Sequence, residues 1–320
     1  MDILADILRI TRLTGDVFSH LVCESPWGFH VDAGAVVRFH MVASGRARLV
    51  LSRRTTVELA AHDLVLLPHG GGHVLCDEPS STTVELAAFL ARERAERGPT
   101  PPNEPFVLTT GRRLRNRTRS ELICGRYTVM FAERHPVLRL LPEVIHIPAR
   151  EAMAHIGIQA TLGQLLREIA DRDVGTERVI ASLLEVLFVH ILRHWIDTNP
   201  DSATGWLGAL RDDAIGRALV ELHTAPAKPW TVASLARAVG MSRAALARRF
   251  TGKVGEPPLA YLRKLRLGMS MRELAETSRP IVDIASSLGY ASQFAFNRAF
   301  RQLHGVPPGT FRRSAMASSS

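Results

Sequence analysis

The sequence predicts an α+β fold, in which an N-terminal β-barrel is followed by an all-α domain with two helix-turn-helix units. Three observations support this prediction. From Val36 to Leu75 the pattern is strand-like, with short apolar runs that end at Gly or Pro. From Glu151 onward, apolar residues recur at three- and four-residue steps, which is typical of helices. Near the C-terminus, a stretch of about fifty residues is repeated.

Length and composition fit two folded domains. The chain has 320 residues, more than the roughly 250 to 300 at which a single core stops growing. Apolar residues make up 46%, which excludes wholesale disorder. Charged residues interrupt the apolar stretch from Val179 to Trp195 and the N-terminal segment, so we expect a cytoplasmic protein that does not cross a membrane. With only three cysteines, a disulfide framework is not expected.

The positive charge is concentrated at the C-terminal end. Residues 211–313 hold 17 Lys and Arg against 7 Asp and Glu, whereas the whole chain has a net charge of +9. A basic domain joined to a neutral one indicates a polyanionic partner, most simply nucleic acid. The alternative is a solvated basic surface with no such partner.

The internal repeat explains this basic domain. Val232–Phe250 reads VASLARAVGMSRAALARRF, and Ile281–Phe300 reads IVDIASSLGYASQFAFNRAF. In each copy a short helix is predicted to end at a Gly that makes a sharp turn, and a Ser then caps the next helix. The equivalent positions are Gly240 with Gly289, Ser242 with Ser292, and Phe250 with Phe300.

Each second helix of the repeat has a polar outer face that can read DNA. Arg, Gln and Asn are the side chains that pair bidentately with guanine and adenine edges in the major groove. The candidate DNA-binding residues are Arg243, Arg248 and Arg249 in the first copy, and Gln293, Asn297, Arg298 and Arg301 in the second.

Residues 209–313 resemble the DNA-binding domain of AraC/XylS transcription regulators. The resemblance lies in the segment IASSLGYASQFAFNRAF and the tail GVPPGTFRR. It implies that a linking helix from Leu259 to Glu276 sets the two reading helices in adjacent major grooves. It also implies that the protein binds a promoter operator and contacts RNA polymerase. One departure is that Ala244, Ala245 and Ala247 leave the first reading helix few side chains for base contacts.

The N-terminal half resembles a cupin barrel. The segment from Asp63 to His73 contains P-x-G-x-x-H, which is similar to the second cupin motif. The first motif is incomplete, because His40 stands alone and Val42 occupies the place of a second His. The three-His, one-Glu iron or manganese site that the resemblance implies is therefore not expected here.

A different combination of four residues suggests a zinc site instead. Cys23, His40, His73 and Cys124 each lie on or beside a predicted strand, and two thiolates with two imidazoles suit tetrahedral zinc. An oxidant could eject such a metal by joining Cys23 to Cys124 in a disulfide. The alternative is four unrelated buried side chains.

The sequence thus divides into five parts. We expect a cupin-like sensor domain over 1–148 with a flexible insertion at 78–120, and a helical pair over 149–197 that forms a homodimer. A linker at 198–208, the DNA-binding domain at 209–313 and a disordered tail at 314–320 follow.

The predicted function is transcription regulation, without enzymatic activity. The cupin domain would sense a small molecule, a metal or an oxidant, and so alter promoter binding or polymerase recruitment. The alternative is a cupin-type metal-dependent enzyme fused to a DNA-binding tail. The sequence shows no nucleophile elbow and no phosphate-binding loop that would favour it.

Overall fold

A computed structural model describes residues 14–34, 36–52, 55–97, 105–110, 118–128, 138, 141–171, 173–199 and 212–317. The chain divides into an N-terminal unit, Arg12–Thr198, and a C-terminal unit that begins at Asn199. Residues 200–208 of the predicted linker and 209–211 of the predicted DNA-binding domain lie outside the described residues.

Two β-sheets form the framework of the N-terminal unit. Their strands are β1 (Thr14–Glu24), β2 (Gly28–Val31), β3 (Val37–Ser44), β4 (Arg46–Ser52), β5 (Thr55–Ala60), β6 (Leu64–Leu67), β7 (His73–Cys76), β8 (Val84–Glu85), β9 (Phe106–Leu108), β10 (Arg119–Thr128) and β11 (Ile145–Ile147). One sheet has the order β11-β6-β3-β10-β1-β9, and the other has the order β5-β4-β7-β2-β8. The pairs are antiparallel except β1 with β9 and β2 with β8.

The sheets pack around a shared core, and the described strands do not close into one barrel. Leu21 and Leu122 from the first sheet join Leu49 and Leu75 from the second in a single buried cluster. The predicted β-rich N-terminal domain is therefore confirmed, and its described strands form two sheets whose apolar side chains turn toward the same interior.

The predicted flexible insertion at 78–120 is instead largely part of the fold. It contributes β8, β9 and the helix α1 (Leu86–Arg97). Leu86, Phe89 and Leu90 of this helix are buried in the shared core, which anchors the segment by apolar burial. The charged residues that suggested a mobile loop lie on the helix face that does not enter the core. Within the insertion, residues 98–104 and 111–117 lie outside the described residues.

Within the described part of this unit, three helices rather than the predicted pair follow the strands. They are α2 (Ala149–Ala154), α3 (Ile156–Asp171) and α4 (Thr176–Thr198). The chain breaks between α2 and α3 at His155, whose backbone is extended. Among the described helices, α4 is the one long and apolar enough to cross a membrane by length and composition. Here it packs against α3 and β1, as the core helix of a folded domain does.

The described part of the C-terminal unit is all-helical, as predicted. Its helices are α5 (Asp213–Thr224), α6 (Val232–Ala238), α7 (Arg243–Val254), α8 (Pro258–Glu276), α9 (Ile281–Ser287), α10 (Gln293–His304) and α11 (Pro308–Ala317). Helix α11 includes residues 314–317 of the predicted disordered tail, so that part of the prediction is corrected. Residues 318–320 lie outside the described residues.

Candidate nucleic-acid interface

The two copies of the repeat have the same turn. Helix α6 is followed by Gly240 at φ +73°, and helix α9 by Gly289 at φ +78°. The residue after each Gly closes the turn, since Met241 N–H donates to Ala236 O at 2.9 Å and Tyr290 N–H donates to Ala285 O at 3.0 Å. A left-handed backbone suits glycine because it has no Cβ to clash. Both helix-turn-helix units therefore form from local sequence signals.

Both reading helices, α7 and α10, begin at a serine cap. The hydroxyl of Ser242 accepts from Ala245 N–H at 3.2 Å, and that of Ser292 accepts from Ala295 N–H at the same distance. Each helix then buries a phenylalanine, Phe250 or Phe300, against the rest of the unit. Burying this side fixes which face of each helix is presented to solvent.

Most of the predicted base-reading residues are exposed on those outer faces. Arg248 and Arg298 are equivalent, since each lies six residues after its serine cap and each is exposed. The other exposed candidates are Arg243, Gln293 and Arg301. These five side chains are free to extend toward base edges.

Arg249, by contrast, is engaged within the protein. Its Nε donates to Asp212 Oδ2 at 2.7 Å, and Asp212 in turn caps α5 by accepting from two backbone N–H groups. The equivalent position in the second copy is Ala299, which has no polar group to offer DNA. The structure therefore gives Arg249 a role in tying α7 to α5.

Asn297 is only partly exposed. Its Oδ1 is buried, and no described residue donates a hydrogen bond to it. Its predicted contact with a base would therefore fall to the amide nitrogen or require a rotation of the side chain.

Phe294 was not among the sequence candidates, although it is the most prominent apolar side chain of α10. It is 78% exposed and lies one turn before Arg298 on the same face. An apolar ring at this position can pack against a thymine methyl group. The sequence could have indicated Phe294, because a large apolar residue stands there on the outer face, whereas the equivalent residue of the first copy is the small Ala244.

Arg266 on the linking helix α8 connects the two copies. Its Nε donates to Pro226 O at 2.7 Å and its Nη2 to Lys228 O at 2.9 Å, both in the segment before α6. Its Nη1 donates to Gly289 O at 3.2 Å, in the turn of the second copy. One guanidinium therefore joins the first unit, the linking helix and the second unit, which restrains the angle between the reading helices.

In the N-terminal unit, His40 and His73 form a buried pair across the two sheets. Their Nε2 atoms are 2.8 Å apart, and His73 Nδ1 donates to Gly71 O at 2.9 Å. A neutral imidazole has one donor and one acceptor nitrogen, so His73 Nε2 accepts and His40 Nε2 donates. His40 Nδ1 is then an acceptor that is buried and has no hydrogen-bond partner among the residues the structure describes.

The four predicted zinc ligands do not meet at one point. Cys124 lies opposite His40 on β3 and opposite Ser19 on β1, whereas Cys23 lies opposite Ser120. Four residues therefore separate Cys23 from Cys124 along the sheet, or about 13 Å. Thiolates bind zinc at about 2.3 Å, and a disulfide needs Cα atoms within about 7 Å. The register allows neither a shared ion nor a Cys23–Cys124 disulfide.

The two thiols are protonated in the metal-free chain. Burial raises the pKa of Cys23 well above its ordinary value and that of Cys124 to about 12. A metal ion would have to displace both protons in order to bind. Across the described residues, no three His, Cys, Asp or Glu side chains are placed to hold a metal ion. These four residues do not fit the predicted zinc site.

We expect the histidine pair to make the protein less stable in mild acid. Burial, with contributions from His73 and Arg38, lowers the pKa of His40 well below its ordinary value, and burial lowers the pKa of His73 to about 4. The unfolded chain thus binds more protons than the folded one below pH about 6.5. The stabilisation is complete above that pH and is lost as the pH falls toward 4. At pH 4 the shifted pKa of His73 alone has lowered the free energy of unfolding by about 3 kcal/mol.

Urea unfolding between pH 7.5 and pH 4.5 measures this effect. A His40→Leu, His73→Leu double variant should lose less stability over that range than the natural chain. His62→Asn, at an exposed position with positive φ, is the matched control and should behave like the natural chain. Identical pH dependence in all three proteins would contradict the assignment.

The basic outer faces, repeated on one clamped helical framework, define a DNA-binding protein with two helix-turn-helix units. The comparisons with known proteins agree. A cupin family model matches residues 2–197, and a helix-turn-helix domain model matches residues 235–314.

Relatives match along the whole chain. A putative AraC-like transcription regulator of Streptomyces antibioticus is 32% identical over 99% of this chain and 100% of its own length. A second one, from Streptomyces lividans, is 31% identical over 98% of each chain. The HTH-type transcriptional regulator AlkR of Acinetobacter baylyi is 28% identical over 98% of this chain and 100% of its own. This chain belongs to the AraC-like family of transcription regulators, with a cupin domain before its DNA-binding domain.

Proposed function

We propose that this protein binds promoter DNA in the cytoplasm through both reading helices of one chain, and that an effector bound by the N-terminal unit alters promoter occupancy or contact with RNA polymerase. The observation that carries the proposal is the clamp at Arg266, which holds two exposed basic helices in one framework. A single helix-turn-helix reads one major groove, so two that are fixed together read a longer site. The named relatives are transcription regulators, which favours regulation over the alternative of a fused enzyme.

Arg298→Ala tests the readout by the second reading helix. A bidentate pair with a guanine contributes about 1 to 3 kcal/mol to discrimination, so we expect affinity for the operator to fall about 5- to 150-fold. Binding to random duplex should change far less, because phosphate contacts dominate there. Fluorescence anisotropy at one salt concentration, with an operator selected from genomic fragments, measures both affinities.

Arg272→Ala is the control for loss of one positive charge. Arg272 pairs with Glu276 on the linking helix, outside both reading helices. It should weaken specific and random binding alike and only slightly. Equal losses on the two duplexes in Arg298→Ala would show that Arg298 contacts phosphate alone.

A homodimer through helices α3 and α4 is also part of this proposal. Ile156 is 82% exposed, and Val186 on the apolar helix α4 is 45% exposed. Ile156 and Val186 lie near each other, because Gly157, the neighbour of Ile156, packs against α4. A Cβ added to Gly157 would meet the ring of His190, which lies one turn after Val186. Exposed apolar residues grouped in this way favour a subunit contact.

Sedimentation of an Ile156→Glu variant tests the contact. We expect the natural chain to be a dimer and the variant to be shifted toward monomer, because a carboxylate is costly to bury in an apolar interface. Val174→Glu is the control, since Val174 is fully exposed in the turn before α4. A natural chain that is monomeric at micromolar concentration would contradict the dimer.

A further inference from the structure

A cavity of about 750 Å³ lies within the N-terminal unit, between the sheet that contains β1 and the helices α1, α3 and α4. The strands contribute charged side chains to its wall, including Asp16, Arg38 and Arg126. The helices contribute mainly apolar ones, among them Leu90 and Ile180. A cavity of this size can enclose a small organic molecule, and its lining suits one with both a polar and an apolar end.

Arg38 is a charged group in this cavity that has an unsatisfied donor. It lies on β3 opposite Arg126 on β10, so both side chains leave the sheet on the same face. Arg126 Nε donates to both carboxylate oxygens of Asp16, at 3.0 Å each. Arg38 Nη1 is buried without a hydrogen-bond partner, and the described residues form no ion pair with its guanidinium.

Asp32 does not meet this need. It lies close enough to act on Arg38 electrostatically, but its side chain is exposed and makes no hydrogen bond to Arg38 within the described part of the chain. A buried donor of a charged group that finds no acceptor costs free energy, and folded proteins satisfy nearly all such groups. An acceptor on a molecule bound in the cavity would satisfy this donor.

We propose that this cavity binds a small organic carboxylate, whose two oxygens accept from Arg38 and whose apolar body packs against α1 and α4. A carboxylate matches the fork of a guanidinium bidentately, and such charge-assisted bonds are stronger than neutral ones. The apolar body would contact the edges of Leu86, Leu90 and Ile180, which line the wall. The role of this carboxylate as the effector rests on the proposed regulatory function, but its binding does not.

Calorimetry on the full chain tests the carboxylate preference with two matched pairs of probes. These are octanoate with octanamide, and 3-phenylpropionate with 3-phenylpropionamide. At least one acid should bind about tenfold or more tightly than its amide, since bonds to a charged group contribute about 1.5 to 3 kcal/mol. Equal affinity of acid and amide in both pairs, or no binding of either acid up to about 10 mM, would overturn the proposal.

Variants then locate the binding. Arg38→Met should reduce the affinity for the acid at least about tenfold. Leu90→Trp, which fills the apolar part of the cavity, should also weaken binding with Arg38 intact. Arg48→Met is the matched control, because Arg48 pairs with Glu58 on the other sheet. Melting temperatures establish that each variant is folded, and unchanged affinity in both folded cavity variants would contradict the site.

The two proposals fail in distinguishable ways. Operator binding by the full chain is measured without any carboxylate, and carboxylate binding is measured without DNA. Specific DNA binding with no response to either acid would refute the ligand site alone. Carboxylate binding that depends on Arg38, with no specific DNA binding, would refute the regulatory function alone.

Discussion

Inserting five base pairs between the two half-elements of the operator is expected to reduce affinity about a hundredfold or more, toward that for random DNA. The linking helix α8 has 19 residues. At the standard rise it is about 28 Å long, comparable to the roughly 34 Å between successive major grooves on one face. Five base pairs turn one half-element to the opposite face, where the second reading helix cannot follow.

The clamp at Arg266 is the reason the protein should not adapt to the insertion. Its bonds to Pro226, Lys228 and Gly289 hold both helix-turn-helix units against the linking helix. A ten-base-pair insertion restores the face but adds about 34 Å, so it should not restore affinity either.

Anisotropy with the full chain at one salt concentration measures these affinities. The same five base pairs inserted outside the half-elements are the control and should have little effect. Affinity that survives the internal insertion would mean that one subunit does not dock two grooves. Recovery with ten base pairs would point instead to two subunits that each read one half-element.

Gly289→Ala is expected to destabilise the C-terminal unit by about 3 kcal/mol or more, and Gly240→Ala by only about 1 to 2 kcal/mol. Both glycines have nearly the same left-handed backbone, at φ +78° and +73°. A Cβ on Gly289 would lie 2.4 Å from the backbone oxygen of Ala227, whereas one on Gly240 would meet nothing within 4 Å. The difference between the variants therefore isolates the contact between the second turn and the segment that Arg266 holds.

Amide hydrogen exchange in the buried helices of the C-terminal unit measures both losses, because it reports the opening of that unit apart from the rest of the chain. Operator affinity at a temperature where both variants are folded is the second readout, and Gly289→Ala should lower it more. Equal destabilisation by the two substitutions would show that the close approach to Ala227 has no energetic weight.

The sequence predicted those features of the DNA-binding unit that depend on residues close to each other in sequence, within about the length of one helix-turn-helix. The glycine turns, the serine caps and the buried phenylalanines follow from three- and four-residue spacing and from the demand for a left-handed residue. Arg249 shows where that reasoning stops. It shares the basic composition of α7, but its carboxylate partner, Asp212, lies 37 residues away in sequence.

The N-terminal unit depended far more on tertiary structure. The sequence by itself indicated strands, a cupin-like order of motifs and buried Cys and His residues, because alternation and composition are local properties. Which of those residues meet was decided by strand register, which places Cys124 opposite His40 but Cys23 opposite Ser120. Burial decided the place of α1, whose charged sequence resembles a loop until Leu86, Phe89 and Leu90 reach the core. The same register places Arg38 in a cavity where its Nη1 has no hydrogen-bond partner among the described residues, since pairing between distant strands sets the surroundings of a side chain and no local pattern encodes it.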